Sequence, residues 1–322
     1  MRRQLAPILA AVIATLLFST STGRADEWPT RPIRVIVPLS AGSAADVVPR
    51  IVFEQVSAQL GQPVVVENRP GASGTIGARA VAEATPDGYT LLAHSSAHVI
   101  AKSTVANIPY DPVRDFAAVA PLGNLPNVLV ISPEKKIKTL KDLVARGQNE
   151  PVTFGSIGVG SPITLAMERL RLSAKFRAQP ITFKGAPEAM LEVMTGRVDV
   201  YYAPVSVALS MISSGKLLPL TVSSPTRVAA LPDVPTTIEA GYPNSSYQFW
   251  LGVFAPAKTP SAIVDRLNSE IEKALQTPAV RAKLEKLGVQ PMMMKPASFA
   301  EFVKAELTAN MELAKEVGIL PQ

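Results

Sequence analysis

Apolar positions along this chain alternate between two periods, one of a strand and one of a helix. Val35-Ile36-Val37 is a short apolar, β-branched run, which predicts a buried strand over Ile33–Leu39. Small residues follow at Ser40, Ala41, Gly42, Ser43 and Ala44. Val47, Val48, Ile51, Val52 and Val56 then recur at helical spacing, predicting a helix over 44–60. The same sequence of signals returns twice. Val64-Val65-Val66 leads into Gly71-Ala72-Ser73-Gly74 and a helical 75–84; Val152-Thr153-Phe154 leads into Gly155-Ser156-Ile157-Gly158-Val159-Gly160-Ser161 and a helical 163–172. With Thr90–Ala93 as a third strand, residues 33–125 have a βαβαβ rhythm, which implies parallel strands joined by right-handed crossovers.

The pattern then changes. Val119–Asn127, interrupted by Pro121, Gly123 and Pro126, is expected to cross to a second unit, which opens on the strand-like Val128–Ile131. Helices over 138–146, 163–172, 187–195 and 205–213 should alternate there with strands over 152–154, 181–183, 198–202 and 217–223. Pro225, Pro232, Pro235 and Pro243 mark an extended wrapping segment. Phe249–Phe254 is a further buried strand, and two amphipathic helices finish the chain, one carrying Ile263, Leu267, Ile271 and Leu275, the other Phe299, Phe302, Val303, Leu307 and Met311. The expected organisation is two α/β domains, one inserted in the other: residues 26–126 and 247–322 form the first and 127–246 the second. The hinge then has two strands and the cleft lies between the domains.

Residues 1–25 stand apart from this pattern. Arg2 and Arg3, an apolar Leu5–Phe18 and the small-residue site Gly23-Arg24-Ala25 predict a signal peptide cleaved near Ala25 and a periplasmic mature protein. The chain has no cysteine, so a lipid anchor, thiolate metal sites and thiol nucleophiles are excluded. Without residues 1–25 there are 29 Lys+Arg against 26 Asp+Glu, a net charge of +3. The charge is spread out, which gives no basis for nucleic-acid binding. Its densest run, Lys135-Lys136 with Lys138 and Lys141, is a solvated approach to a helix.

The chemistry sits in the small-residue loops. The first N–H groups of a helix have no internal partner and carry partial positive charge, so a strand, a small-residue loop and a helix start together make an anion cradle. Candidate ligand-binding residues are Ser40, Ala41, Gly42, Ser43, Ala44, Ala45 and Asp46 in the first loop and Gly71, Ala72, Ser73 and Gly74 in the second. Ser95 and Ser96 follow the third strand, and Ser156, Gly158, Gly160 and Ser161 belong to the second unit. In an open α/β sheet these strand ends face the ligand crevice. Asp46 has two readings, rigidifying the loop by accepting its N–H groups or touching ligand through water. Ser73, Ser156 and Ser161 suit helix caps and ligand donors alike. Lys184 is either a surface lysine or the partner of a second carboxylate. Trp250 and Tyr201 read as core or hinge packing before ligand stacking.

No catalytic set stands out. Gly-x-Ser-x-Gly, Walker and Gly-x-Gly-x-x-Gly motifs are absent. His94 and His98 are the only histidines. Their spacing would suit a metal if both lay on one helix, but no Glu or Cys accompanies them, and neither a metal nor a cofactor is expected. An exported α/β hydrolase would need Ser73 at an elbow beside one of these histidines.

The whole mature chain resembles the Bug family, the periplasmic solute-binding proteins of tripartite tricarboxylate transporters. The resemblance is carried by Pro38…Gly42…Asp46…Arg50, Asn68-Arg69-Pro70-Gly71-Ala72-Ser73-Gly74…Gly77 and Ala84-Thr85-Pro86-Asp87-Gly88-Tyr89-Thr90-Leu91. It continues through Gly155-Ser156…Gly158…Gly160-Ser161, Phe183-Lys184-Gly185, Gly196-Arg197-Val198-Asp199, Leu231-Pro232-Asp233-Val234-Pro235-Thr236 with Glu239-Ala240-Gly241, and Phe254-Ala255-Pro256…Thr259-Pro260. It implies an α/β, two-domain periplasmic-binding-protein fold of the type II-like kind. The implied binding protein, not an enzyme, closes on a small organic carboxylate held by loop amides and bridging waters. It implies a monomer that delivers this ligand to the membrane permease subunits of such a transporter, or alternatively presents it to a sensor kinase. Four positions depart from the family pattern: Ser43 replaces a glycine, Pro49 enters a helix, Thr164 stands where many members have histidine, and Ala203 where amino-acid binders have an acid. Thr164 and Ala203 are therefore also candidate ligand neighbours, and their identity predicts a ligand without an α-ammonium group.

Overall fold

The computed structural model describes residues 28–158 and 160–321, so the expected signal peptide lies outside the described residues. Two five-stranded sheets carry the fold. The first contains β1 (Ile33–Val37), β2 (Val64–Asn68), β3 (Thr90–Ser95), β4 (Phe116–Asn124) and β10 (Trp250–Pro256) in the order β2-β1-β3-β10-β4. The second contains β5 (Asn127–Ile131), β6 (Val152–Ser156), β7 (Ala178–Thr182), β8 (Val200–Pro204) and β9 (Leu218–Val222) in the order β7-β6-β8-β5-β9. Each order starts with three parallel-paired strands and ends with strands added antiparallel. This is the two-domain α/β periplasmic-binding-protein fold expected above.

Strand β1 is buried on both faces along its apolar run Val35–Val37, with Arg34 exposed near its start. Val35 and Val37 join one core with Val48, Val52 and Phe53 of α1 (Ala44–Leu60) and with Leu267 and Ile271 of α8 (Ser261–Gln276). Ile36, on the opposite face, joins a second core with Ala78 and Val81 of α2 (Thr75–Ala82), Val99 of α3 (Ala97–Thr104), Trp250, Phe254 and Phe299. The second sheet has its own core, built on Val128–Ile131, Phe154, Leu170 and Val200–Ala203.

Three expectations are corrected. Residues 116–124, expected in part as a crossing loop, form a strand that pairs with β10. Its register slips opposite Leu251/Gly252 and Val253/Phe254, so bulges absorb the irregular residues. As an edge strand it tolerates Pro121. Second, α3 (Ala97–Thr104) follows β3 directly and was not read as a helix. Third, the chain ends in three helices rather than two, because α9 (Pro278–Lys286) separates α8 from α10 (Pro296–Glu316). Pro278 opens α9 at a position where its missing N–H costs nothing, and Val280 and Leu284 bury its inner face.

The chain passes between the sheets twice, at β4–β5 and before β10, and the passages are side by side. The Leu125 N–H donates to the Phe249 carbonyl at 2.8 Å, and the Tyr247 N–H to Ser223 at 2.8 Å. Helix α10 braces this hinge. Trp250 Nε1 donates to Glu306 Oε2 at 3.2 Å, and Tyr247 Oη donates to Asn310 Oδ1 at 3.1 Å. From the second sheet's side, the Arg169 guanidinium lies 5.2 Å over the Tyr247 ring. Burial raises the pKa of Glu306, as expected for a carboxyl enclosed beside aromatic rings.

Candidate functional site

The loops after β1, β2, β3 and β6 carry the candidate residues. In the first, Ser40–Ser43 is a turn: the Ser43 N–H and hydroxyl both donate to the Ser40 carbonyl, at 3.3 and 2.8 Å. Asp46 then locks it from below. Its Oδ2 accepts the Gly42 N–H at 2.8 Å, and its Oδ1 accepts Arg50 Nε at 2.9 Å and Asn68 Nδ2 at 2.8 Å. Asn68 also donates to the Leu39 carbonyl at 3.1 Å, tying the end of β2 to the loop after β1. Burial pushes the Asp46 pKa up, but the Gly42 N–H, the Asn68 amide and the Arg50 guanidinium outweigh it and hold the carboxyl below its usual value.

Asp46 thus organises the loop, the first of its two readings. Replacing it with asparagine leaves one carbonyl oxygen for three donors and sets an amide against Asn68 or Gly42. We expect Asp46→Asn to cost about 1–3 kcal/mol of stability. Urea unfolding should show this as a lowered midpoint at unchanged slope; a midpoint equal to the parent's would mean the carboxylate is not needed.

With the turn fixed this way, the N–H groups of Ala44 and Ala45 at the start of α1 have no hydrogen-bond partner among the described residues. Neither does that of Ala41. The second loop offers a similar cradle by a different route. Gly71 has φ 131°, and Ala72, Ser73 and Gly74 have φ 45°, 56° and 90°. Two non-glycine residues here occupy the left-handed region, at roughly 1–2 kcal/mol each. Such strain persists where the surroundings impose it. The Ala72 carbonyl accepts the Thr75 hydroxyl at 2.8 Å, while the N–H groups of Ala72 and Ser73 have no partner among the described residues. Ser73 does not cap a helix. Gly74 holds the cap position of α2, and its absent side chain leaves room for His94, whose Nε2 would lie 2.9 Å from a Cβ there.

Ser95 closes β3 and its hydroxyl accepts the Ala97 N–H at 3.3 Å. Ser96, expected with it at the strand's end, instead precedes α3. Its hydroxyl is buried without a partner, as is His94 Nε2. His94 lies on a strand and His98 on a helix, so the i,i+4 metal geometry does not form. Among the described residues no group of three or more metal-ligating side chains occurs, and Ser73 bonds to neither histidine.

Across the cleft, four groups close on one another. The Thr164 hydroxyl lies 2.8 Å from the hydroxyls of both Ser156 and Ser161 and donates to the Gly158 carbonyl at 3.0 Å. The Gly158 N–H donates to Ser156 at 3.2 Å, and Ser161 caps α5 (Pro162–Ala174) by accepting the Thr164 N–H. Thr164 therefore knits the loop together. Sequence reasoning missed that role, although a Ser…Ser-x-x-Thr spacing permits it. Gly160 meets the first sheet's unit directly: a Cβ on it would lie 2.6 Å from Thr104 Cγ2 of α3. Ala203 is fully buried within β8 and belongs to the second core rather than to the cleft surface. A cavity of about 470 Å³ separates the two sides, bounded by Ala72 and Ser73, by α3, and by Ile157, Gly158, Gly160 and Ser161.

Known proteins resemble this chain in sequence and fold. Residues 48–319 match the family described as "Tripartite tricarboxylate transporter family receptor". The chain is 35% identical over 298 residues to the protein BugT of Bordetella pertussis, covering 91% of each. Among solved structures it is similar to MatC of Rhodopseudomonas palustris with bound malate, at 30% identity and a TM-score of 0.70, covering 89% of this chain and 99% of that one. It is also similar to an R. palustris protein solved with adipate, at 28% identity and a TM-score of 0.75, covering 92% and 100%.

Proposed function

The chain belongs to the tripartite tricarboxylate transporter receptor family, and from that premise we propose that it captures a small organic carboxylate in the periplasm by domain closure and delivers it to membrane permease subunits. The observation that carries the reading is the pair of cradles built from Ala41, Ala44 and Ala45 and from Ala72 and Ser73. Their N–H groups have no other partner among the described residues, and neither loop, 40–45 or 71–75, contains a lysine or arginine. Oriented amides at a helix start bind a carboxylate without the desolvation cost of burying a cation with it. MatC and the adipate-bound protein are relatives solved with carboxylates, which supports the ligand class.

In this reading residues 26–126 with 247–322 form one jaw and 127–246 the other. Leu125 and Phe249 mark the two-strand hinge. Closure brings the hydroxyl-knit loop of Ser156, Gly158, Ser161 and Thr164 over the ligand. No catalytic step is assigned to it.

The ligand is expected to lack an α-ammonium group. Such a group needs a buried acceptor or counter-charge. Ala203 supplies neither, Thr164 is engaged within its loop, and Asp46 is already saturated by three donors. Titration calorimetry against a panel of carboxylates and the matching amino acids tests both statements. Binding of one or more plain carboxylates at micromolar levels or tighter is expected, with the corresponding amino acid at least tenfold weaker. An amino acid bound more tightly than its deaminated counterpart would reverse the second statement, and binding of no carboxylate at all the first.

A further inference from the structure

The wall of the cleft says more about the ligand than the cradles do. Ala97, Ile100 and Ala101 of α3 and Val105 just after it line the cavity, and Ile157 lines it from the opposite side. The other lining groups are hydroxyls, glycines and the cradle backbone; no lysine, arginine or histidine is among them. Basic side chains on neighbouring elements are committed elsewhere. Lys102, also on α3, faces Asp111 at 3.4 Å, and Arg50 is held by Asp46. Lys184 is exposed and does not line the cavity. Of the three lining hydroxyls, Thr104 is engaged by the Ile100 carbonyl and Ser161 by Thr164, which leaves Ser73, beside the cradle, as the one without a partner among the described residues.

A ligand seated with one carboxylate on the second cradle, whose Ala72 and Ser73 line the cavity, thus extends along an aliphatic surface. A second carboxylate on its far end would be enclosed against Ile100, Val105 and Ile157 with no cation and few free donors. Burying an ionised carboxylate in that way is strongly unfavourable. An apolar body of the same length would instead gain the transfer energy of its buried surface.

We infer that the ligand is a monocarboxylate with an apolar aliphatic or aromatic body, and that Ile100, Val105 and Ile157 select against a second carboxylate. This rests on the carboxylate reading above and narrows it. It departs from the dicarboxylates, malate and adipate, found in the two similar structures.

Matched pairs test it: hexanoate against adipate, and benzoate against terephthalate, by titration calorimetry on the mature protein. In at least one pair the monocarboxylate should bind at least tenfold more tightly. A companion variant, Ile157→Arg, places a cation at a partly exposed cleft position where folding should tolerate it, and should narrow or reverse that preference. Tighter or equal binding of the dicarboxylate in both pairs, or a preference unmoved by Ile157→Arg, overturns the inference while leaving the carboxylate reading in place. If neither member of either pair binds, this inference falls, and the wider carboxylate panel decides separately whether the parent reading falls with it.

Discussion

Gly160→Leu should weaken ligand binding by about a hundredfold, roughly 2.7 kcal/mol, while leaving the protein folded. Two effects add. Gly160 has φ 76°, a left-handed conformation that costs a leucine about 1–2 kcal/mol. Its Cβ would also lie 2.6 Å from Thr104 Cγ2. That methyl cannot turn away freely, because the Thr104 hydroxyl donates to the Ile100 carbonyl at 3.2 Å and pins the rotamer. Forcing extra carbon into such a contact costs about 1–3 kcal/mol. The cheapest escape is for the two jaws to part, which removes the loop from over the ligand. Small-angle scattering should then show a radius that no longer shrinks on adding ligand. Thr104→Ala in the same chain should restore part of the affinity by relieving the clash but not the backbone strain. Undiminished affinity in Gly160→Leu would show that the second jaw takes no part in binding.

The alternation of apolar runs with helical spacing made most of the fold legible. Strand β1 and helix α1 fall where Val35–Val37 and the Val48/Val52/Val56 stripe place them, because both are buried by their own local pattern. Strand β4 was hidden because Pro121 and Gly123 are breakers in a local reading. Only the pairing with β10, more than a hundred residues later, makes bulges of them. Helix α9 was hidden because it is short, with only Val280 and Leu284 buried.

Within the candidate site, the small-residue loops were visible as composition and helix starts. Which groups they leave unpartnered was not. The role of Asp46 depends on Asn68, 22 residues away, and that of Gly160 depends on Thr104, on a helix beside the first sheet. The selective wall of the cleft was equally out of reach, since Ile100 sits on a helix that the sequence did not announce and Val105 directly follows it. Packing between distant segments settles each of these points, and no local period records it.

Acid should destabilise the protein well before its carboxylates are all protonated, through His98. Its ring is fully buried, stacked on Tyr110 at 5.9 Å and set edge-on against Phe116 at 4.8 Å, with Phe254 at 4.7 Å and His94 at 5.6 Å. One polar partner satisfies it: Nε2 lies 3.0 Å from the Pro112 carbonyl, which fits a neutral ring donating from that nitrogen. Nδ1 has no partner among the described residues. Burial lowers its pKa to about 4, although the Pro112 carbonyl and the Asp111 carboxylate pull the other way. His94 is lowered as well, by burial and by the neighbouring His98. In the unfolded chain a histidine titrates near 6.5. Between that value and about 4 the unfolded state binds the proton and the folded state does not. The stability from keeping His98 neutral is therefore fully present above pH 6.5 and is lost as pH falls toward 4, by roughly 3 kcal/mol in all. His94 adds in the same direction. Urea unfolding at pH 7 and pH 4.5 should show the loss. His98→Phe, which keeps an aromatic ring in the cluster and removes the proton site, should flatten the dependence even if the variant is less stable at pH 7. Equal stability at the two pH values, or an undiminished slope in His98→Phe, would mean that the buried ring does not set the acid limit of the fold.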